Sequence, residues 1–98
     1  MNYTVVYLEL AAQDVAVIRK YLSQFYLDTP VNFLTKLKRG IEGLRDNPFM
    51  YAEYADHPAY RRMVVMEYLV FYKVYDDSKT VEIHRVLHGM KNIKAHLP

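Results

Sequence analysis

YRRMVVMEYLVFYKVYDDSKTVEIHRVLH, residues 60–88, holds three runs of β-branched and aromatic residues that predict three strands. Almost nothing separates the first two runs, so a tight hairpin is expected near Met66–Tyr68. The polar group DDSK at residues 76–79 predicts a second turn before the last run. This stretch therefore predicts three consecutive strands joined by short turns, which is the arrangement of an antiparallel sheet.

One strand and two helices are predicted ahead of this stretch. Residues 2–10 alternate as a strand does, with Tyr3, Val5 and Tyr7 on one side. A first helix is predicted by an apolar stripe at helical spacing, formed by Ala11, Val15, Ile18, Leu22 and Phe25. A second helix begins near Pro30 and ends before Pro48, with a stripe of Leu34, Leu37, Ile41 and Leu44. The short connection between the helices predicts an antiparallel hairpin.

The predicted order of elements, β-α-α-β-β-β, indicates the α+β class. Because two helices alone cannot bury both apolar stripes, we expect the hairpin to pack on one face of a mainly antiparallel sheet of about four strands. A short C-terminal helix follows, with Met90, Ile93 and Leu97 at helical spacing. At 98 residues the chain is expected to form a single domain, residues 1–98, whose other sheet face is partly uncovered.

Composition excludes several kinds of site. The chain has no Cys, which rules out disulfides, thiolate metal ligands and a Cys nucleophile, and which fits a reducing cytoplasm. Its three scattered glycines form no phosphate-binding loop, and no cofactor is expected. The N-terminus carries no signal-peptide pattern, and charges interrupt every apolar run long before it could span a bilayer. We therefore expect a cytoplasmic protein with no membrane segment.

Period-two alternation assigns each strand residue to one of the two sheet faces. The core is expected to contain Tyr68, Val70, Tyr72 and Val74, and the open face Leu69, Phe71, Lys73 and Tyr75. The last strand is expected to bury Val81, Ile83 and Leu87 and to place Glu82, His84, Val86 and His88 on the open face. Arg85 falls with the apolar set, so we expect it near the sheet end, reaching past the edge to a partner.

The C-terminal part of the chain is mildly basic. Residues 60–98 carry Lys or Arg at positions 61, 62, 73, 79, 85, 91 and 94, with four acids and three of the four His, within a net charge of +2. Such a bias suits a polyanionic partner, although a solvated basic face is its commoner meaning. The candidates for contact with RNA phosphates are Lys73, Arg62, Arg85 and Lys94.

His84 and His88 suggest two kinds of chemistry. Their i, i+4 spacing would suit zinc on a helix, but on a strand they lie roughly 13 Å apart, so no metal site is expected. General acid–base work on a phosphodiester is the better option, with His84 or His88 as acid or base. Arg61, Lys73 and Lys91 would then hold the phosphate. The alternative is that all five are ordinary solvated side chains of an exposed sheet face.

AYRRMVVMEYLVFYKVYDDSKTVEIHRVLHGMKNI, residues 59–93, resembles the C-terminal signature of the RelE/ParE superfamily. These proteins are the toxins of type II toxin–antitoxin modules, and the first strand, the helical hairpin and the length also match. The resemblance implies a compact toxin that inhibits growth and is neutralised by a small cognate antitoxin, expected to be acidic and encoded beside it. RelE-like members enter the ribosome and cleave mRNA as metal-independent, ribosome-dependent endoribonucleases, whereas ParE-like members inhibit DNA gyrase.

The resemblance implies the catalytic candidates Arg61, His88, Lys91 and His84. Arg61 matches a basic position of RelE-like toxins, His88 lies near the terminal-strand His of YoeB-like relatives, and Lys91 stands in for a late Arg. However, Leu69 replaces an Arg common in RelE-like members, and Gly89 follows His88 where a Tyr is expected. The depleted set favours a ParE-like gyrase inhibitor or a divergent nuclease. A non-enzymatic RNA-binding or adaptor domain that uses the same basic sheet is the further alternative.

Overall fold

The predicted order of elements is confirmed by the structure, a computed structural model that describes residues 2–97. The strands are β1 (Thr4–Tyr7), β2 (Arg61–Val65), β3 (Tyr68–Tyr75) and β4 (Thr80–His88). The helices are α1 (Glu9–Phe25) and α2 (Thr29–Asp46), and one short 3-10 helix, Ile93–Ala95, stands where a C-terminal helix was expected. Met1 and Pro98, the ends of the predicted single domain, lie outside the described residues.

The four strands form one mixed sheet in the order β1-β4-β3-β2. The pairs β2–β3 and β3–β4 are antiparallel, as expected, and β1 runs parallel to β4. The β1–β4 ladder covers only residues 80–83 of β4, because the chain leaves the sheet after β1 to start α1. The second half of β4 is therefore left without a neighbouring strand on that side.

The helices begin and end where local chemistry favours it. Glu9 lies in the first turn of α1, where a carboxylate interacts favourably with the positive end of the helix dipole. Pro30 lies in the first turn of α2, where its missing N–H costs no hydrogen bond. The helix ends at Asp46, and Asn47 before Pro48 is no longer helical. Most of both apolar stripes points into the core, which contains Ala11, Ile18, Leu22, Phe33, Leu37, Ile41 and Leu44. The expectation is wrong for Phe25, which lies at the end of α1 and is 62% exposed.

Both faces of the sheet are packed, but unequally. The main core lies between the helices and the sheet. The face turned away from the helices, called the open face below, carries a smaller cluster of Tyr60, Phe71, Leu87 and Ile93. Ile93 belongs to the 3-10 helix, and Leu97 packs against the same cluster. The C-terminal segment therefore covers part of the face that the sequence had predicted to be open.

A β-bulge in β4 overturns part of the predicted assignment of side chains to faces. Tyr72 pairs with Ile83 and Phe71 pairs with Arg85, so His84 is the extra residue between them. An inserted residue shifts the alternation by one position for the rest of the strand. Val86 therefore packs in the helix-side core and Leu87 in the smaller apolar cluster of the open face. The expectation that Glu82, His84, Val86 and His88 share the open face is wrong for Val86 and His88.

Two residues with positive φ mark the ends of predicted turns. Met66 has φ of 56° in the two-residue connection between β2 and β3, and Lys79 has φ of 52° just before β4. Both hairpins lie where the sequence predicted them. Tight hairpin turns often contain residues with a left-handed backbone conformation, because the twist of such turns matches the twist of the flanking strands.

Candidate functional surfaces

Four polar or aromatic side chains meet on the open face and are called the open-face cluster: Tyr60, Lys73, Glu82 and His84. Tyr60 directly precedes β2, Lys73 lies on β3, and Glu82 and His84 lie on β4. Lys73 and Glu82 are cross-strand neighbours in the β3–β4 ladder. Three segments of the sheet therefore place a cation, a carboxylate, an imidazole and a phenol side by side.

His84 and Glu82 form an oriented pair. Nε2 of His84 lies 3.1 Å from Oε1 of Glu82, and the His84 side chain is 13% exposed. Burial lowers the pKa of His84, while the hydrogen bond to Glu82 works in the opposite direction and nearby Lys73 adds to the lowering. Because a carboxylate accepts, the neutral imidazole holds its proton on Nε2 and keeps a lone pair on Nδ1. Such a nitrogen is equipped to act as a general base.

Lys73 and Tyr60 complete the cluster. Nζ of Lys73 lies 4.7 Å from the centre of the Tyr60 ring, and that ring meets the imidazole of His84 edge-on at 5.2 Å. The Tyr60 side chain is fully buried, and its hydroxyl makes no hydrogen bond to any residue between 2 and 97. Burial raises the pKa of Tyr60, so its hydroxyl stays protonated and is a donor.

Arg61, a predicted catalytic residue, lies on the other side of the sheet. It pairs with Tyr72, which is part of the helix-side core. Its Nη1 donates a hydrogen bond to the Tyr51 carbonyl at 2.6 Å, and its guanidinium lies over the Phe49 ring at 5.1 Å. Arg61 therefore ties down the loop between α2 and β2, and it is separated from His84 by the sheet itself.

His88 and Lys91 lie together in a third location, beyond the bulge. Nδ1 of His88 accepts a hydrogen bond from the Met90 N–H at 3.0 Å, and Nε2 lies 3.4 Å from Oε2 of Glu67. The His88 ring also meets the Tyr68 ring edge-on at 5.4 Å. Both His88 and Lys91 line a groove on the helix side. The four catalytic candidates of the sequence are therefore distributed over three places.

The residues predicted to contact RNA phosphates also lie in several different places. Lys73 belongs to the open-face cluster, and Arg62 lies exposed over the Tyr54 ring at 5.7 Å. Arg85 reaches past the sheet edge, as expected, and its guanidinium makes a two-pronged ion pair with Asp14 of α1. Lys94 is exposed on the 3-10 helix. Sequence reasoning missed Asp14, which no local pattern connects to Arg85.

The groove beside His88, called the α1 groove, has a volume of about 610 Å³ and runs between α1 and the end of β4. Its apolar lining consists of Val17, Ile18, Tyr21, Leu22, Tyr26, Tyr68, Val86, Leu87 and Met90. Its remaining lining residues are Asp14, Glu67, His88 and Lys91. Leu27 at the tip of the helical hairpin is 93% exposed, and Met90 is 88% exposed. An exposed apolar groove is one kind of surface at which proteins associate.

Residues 2–97 contain neither a metal-binding cluster nor a membrane-spanning helix. No group of three or more His, Cys, Asp or Glu side chains is placed to hold a metal ion. No helix in the described part of the chain is long and apolar enough to cross a membrane.

Comparison with known proteins gives both a family and a fold. The sequence model of the ParE toxin family, described as the ParE toxin of the type II toxin–antitoxin system parDE, matches residues 5–93. No curated protein matches the chain. A chromosomal ParDE system from P. aeruginosa superposes with a TM-score of 0.70 at 14% identity, covering 88% of this chain and 95% of that one.

Two further solved structures have the same fold. The RelBE2 toxin–antitoxin complex from Mycobacterium tuberculosis gives a TM-score of 0.62 at 20% identity, covering 90% of this chain and 99% of that one. YafQ from E. coli gives 0.63 at 18% identity, covering 89% of this chain and 93% of that one. At these identities the three structures establish the architecture and leave the target open.

Proposed function

The chain belongs to the family of ParE toxins of type II toxin–antitoxin systems, and from that premise we propose that it arrests growth by binding DNA gyrase. We also propose that the whole chain is one toxin domain. It would act in the cytoplasm, where gyrase and a cognate antitoxin are found. Gyrase is the target that the resemblance to ParE-like toxins implies.

The main support for this proposal is that the residues predicted to cleave RNA do not lie together in the structure. A RelE-like centre needs its acid–base group and its cations on one face of the sheet. Here Arg61 holds a loop on the helix side, and His88 lines the α1 groove. Leu69, which replaces an Arg of RelE-like members, packs against the open-face apolar cluster. A toxin whose surfaces bind a target without cutting it needs no such assembled centre.

The α1 groove suits the antitoxin. Its apolar lining suits the apolar face of an amphipathic helix. Binding of such a helix in an apolar groove is a recurring mode of protein recognition, and it would bury the groove away from water. Tyr21→Glu would place a charge in this groove. We expect that variant to remain toxic while the antitoxin no longer rescues growth. Lys20→Glu, on the same helix and outside the groove lining, is the matched control and should still be rescued.

A supercoiling assay tests the gyrase target directly. Purified toxin titrated into DNA gyrase and relaxed plasmid should slow supercoiling in proportion to its concentration, and added antitoxin should restore the rate. Undiminished supercoiling at a large molar excess of toxin would rule gyrase out. An adaptor domain, the alternative from another functional class, predicts no growth arrest when the chain is expressed alone.

Cleavage of mRNA is the second candidate, and the open-face cluster is the specific observation that favours it. Nδ1 of His84 would take the proton of a 2′-hydroxyl as its oxygen attacks the adjacent phosphorus, and Lys73 would hold the phosphate. The bond from phosphorus to the 5′-oxygen would break, and the leaving 5′-oxygen would take its proton from water. Mapping of mRNA 5′ ends after induction should then show new ends that His84→Ala and Lys73→Ala both abolish. Lys94→Ala, at an exposed cation outside the cluster, serves as the control. Intact mRNA during growth arrest would eliminate this candidate.

A further inference from the structure

Met90 is the most exposed methionine of residues 2–97. It is 88% exposed, against 53% for Met50, 36% for Met66 and 1% for Met63. Met90 lines the α1 groove, whereas Met50, Met63 and Met66 line a separate cleft of about 340 Å³ between α2 and β2. A reagent that attacks accessible thioethers therefore changes the α1 groove through one residue.

The backbone around Met90 is fixed by hydrogen bonds. The Met90 N–H donates to Nδ1 of His88 at 3.0 Å, and the Lys91 N–H donates to the His88 carbonyl at 3.0 Å. The Gly89 N–H donates to the Glu67 carbonyl at 3.0 Å, which joins this turn to the connection between β2 and β3. The chain therefore holds the thioether of Met90 in water at the groove by an ordered turn.

The α1 groove offers an occupant mainly apolar contacts, and Met90 is the most exposed of its apolar lining residues. A methionine side chain suits such a surface because it is apolar, unbranched and polarizable, and it adapts to the shape of a partner. Oxidation to the sulfoxide makes the same side chain polar. Burial of a polar group without a hydrogen bond is unfavourable, so the oxidised groove is a poorer site for an apolar occupant.

We propose that Met90 is a site of reversible oxidation by hydrogen peroxide, and that its sulfoxide weakens binding of the antitoxin in the α1 groove. One peroxide oxygen bonds to the sulfur as the O–O bond breaks, and the other oxygen leaves as water with both protons. The sulfur loses two electrons, and the peroxide gains them. The effect on the antitoxin rests on the proposed function, whereas the choice of Met90 rests on its exposure.

A thiol-dependent sulfoxide reductase reverses the modification. Two thiols supply two electrons and two protons and form a disulfide, the S=O bond breaks, and the oxygen leaves as water. The thioether of Met90 is restored, and with it the apolar lining of the groove.

Oxidation and antitoxin binding oppose each other. If the sulfoxide weakens binding by some factor, thermodynamic linkage requires bound antitoxin to disfavour the sulfoxide by the same factor. An antitoxin helix in the α1 groove would also cover the Met90 thioether. Peroxide therefore modifies the free toxin, and the modified toxin is neutralised less well.

Peptide mass spectrometry after graded doses of hydrogen peroxide measures the order of oxidation. In the free toxin Met90 should be oxidised first, Met50 and Met66 more slowly, and buried Met63 last. Antitoxin added beforehand in excess should slow the oxidation of Met90. Oxidation of Met90 no faster than that of Met50 in the free toxin would overturn the choice of site.

Binding of the recombinant antitoxin encoded beside the toxin is then measured before and after peroxide treatment of the toxin. Oxidation should weaken binding about ten-fold, and sulfoxide reductase with a thiol should restore it. Met90→Leu keeps an apolar side chain without a thioether, so it should bind normally before and after peroxide. Met50→Leu is the matched control, and like wild type it should bind normally before peroxide and about ten-fold more weakly after it.

Met90→Gln tests the effect of polarity without an oxidant. It places a polar side chain of similar length at the groove and should weaken antitoxin binding about three-fold or more in the absence of peroxide. Because Met90 is 88% exposed, neither Met90→Gln nor Met90→Leu should change the melting temperature of the free toxin.

The outcomes separate this inference from the proposed function. If untreated toxin forms no complex with the antitoxin, the proposed partnership is wrong, and the effect assigned to the sulfoxide is wrong with it. If the complex forms and toxin oxidised at Met90 binds as tightly as untreated toxin, only the present inference is overturned. A loss of affinity after peroxide that persists in Met90→Leu would also overturn it, because another residue would then be responsible.

Discussion

Asp14 and Arg85 are 71 residues apart in the chain and form a two-pronged ion pair, with Nε–Oδ2 at 2.7 Å and Nη2–Oδ1 at 2.8 Å. Their side chains are only 14% and 15% exposed. Nη1 of Arg85 also donates to the His96 carbonyl at 3.0 Å, and Asp14 accepts from the Val86 N–H. The pair therefore connects α1, the unpaired edge of β4 and the C-terminal segment.

Removal of the Asp14 carboxylate should be costly for this reason. Asp14→Ala leaves a largely buried guanidinium and a backbone N–H without their acceptor, so we expect the free energy of unfolding to fall by about 3 kcal/mol. Urea denaturation measures it. Gln13→Ala changes the adjacent exposed position of α1 and should cost no more than about 0.5 kcal/mol. A loss of under about 1 kcal/mol for Asp14→Ala would contradict this account of the pair.

Two glycines of α2 should respond to alanine with opposite signs. A Cβ on Gly40 would lie 2.8 Å from Sδ and 2.9 Å from Cε of Met63, so the end of this buried side chain would have to shift. Gly40→Ala should therefore lower the free energy of unfolding by about 1–2 kcal/mol. A Cβ on Gly43 would have its nearest contact at 3.9 Å, with Sδ of exposed Met50. Gly43→Ala should instead raise stability by about 0.5 kcal/mol, because alanine is the better helix former.

Thermal unfolding of the two variants, measured side by side, checks this pair of predictions. Equal shifts of both melting temperatures would mean that the close packing of α2 against Met63 does not determine how these alanine substitutions change stability.

Met66 occupies a backbone conformation that L residues with ordinary side chains avoid. Its φ of 56° is left-handed, and such a conformation costs roughly 1–2 kcal/mol for residues other than Gly, Asn and Asp. Met66→Asn should therefore raise the free energy of unfolding by about 0.5–1 kcal/mol. Met66→Ala retains a Cβ and the same strain, so it separates the backbone effect from the loss of the methionine side chain. The prediction fails if the Asn variant is no more stable than the Ala variant.

Because of His84, the free energy of unfolding should decrease as the pH falls below 6.5. Burial lowers its pKa in the folded chain below the ordinary value of 6.5, despite the partly compensating hydrogen bond to Glu82. As pH falls through 6.5, the unfolded chain binds a proton more readily than the folded chain, so folding loses stability until pH reaches the folded pKa. Above 6.5 the imidazole is neutral in both states and the contribution is constant.

Two measurements check the direction of that shift. An NMR titration should give His84 a midpoint below 6.5, and the difference in unfolding free energy between wild type and His84→Gln should decrease from pH 7.5 towards acid pH. A midpoint at or above 6.5 would show that the bond to Glu82 outweighs burial.

Much of the fold followed from local patterns. The stripe from Ala11 to Leu22 and the runs from residue 60 to residue 88 predicted the elements and their order, because burial imposes a period of 3.6 on a helix and of 2 on a strand. The hairpin at Met66 followed from the lack of residues between two runs. The parallel pairing of β1 with β4 was not predicted, since it joins segments separated by two helices and two strands.

The candidate site was less predictable. Glu82 and His84 share a face because they are two residues apart on a strand, and alternation was sufficient to place them together. Alternation failed beyond His84, since the bulge moved His88 to the helix side. The role of Arg61 depends on Tyr51 and Phe49, which belong to an irregular loop without a periodic signal.

The sequence by itself determined the elements, their order, the helix-side core and the family signature, because each depends on neighbours within a few positions. The tertiary structure alone decided which face each residue after His84 occupies and which partner neutralises Arg85. These depend on how distant strands and helices pair, and a single inserted residue in β4 reverses every later side chain. No periodic pattern in one segment carries that information.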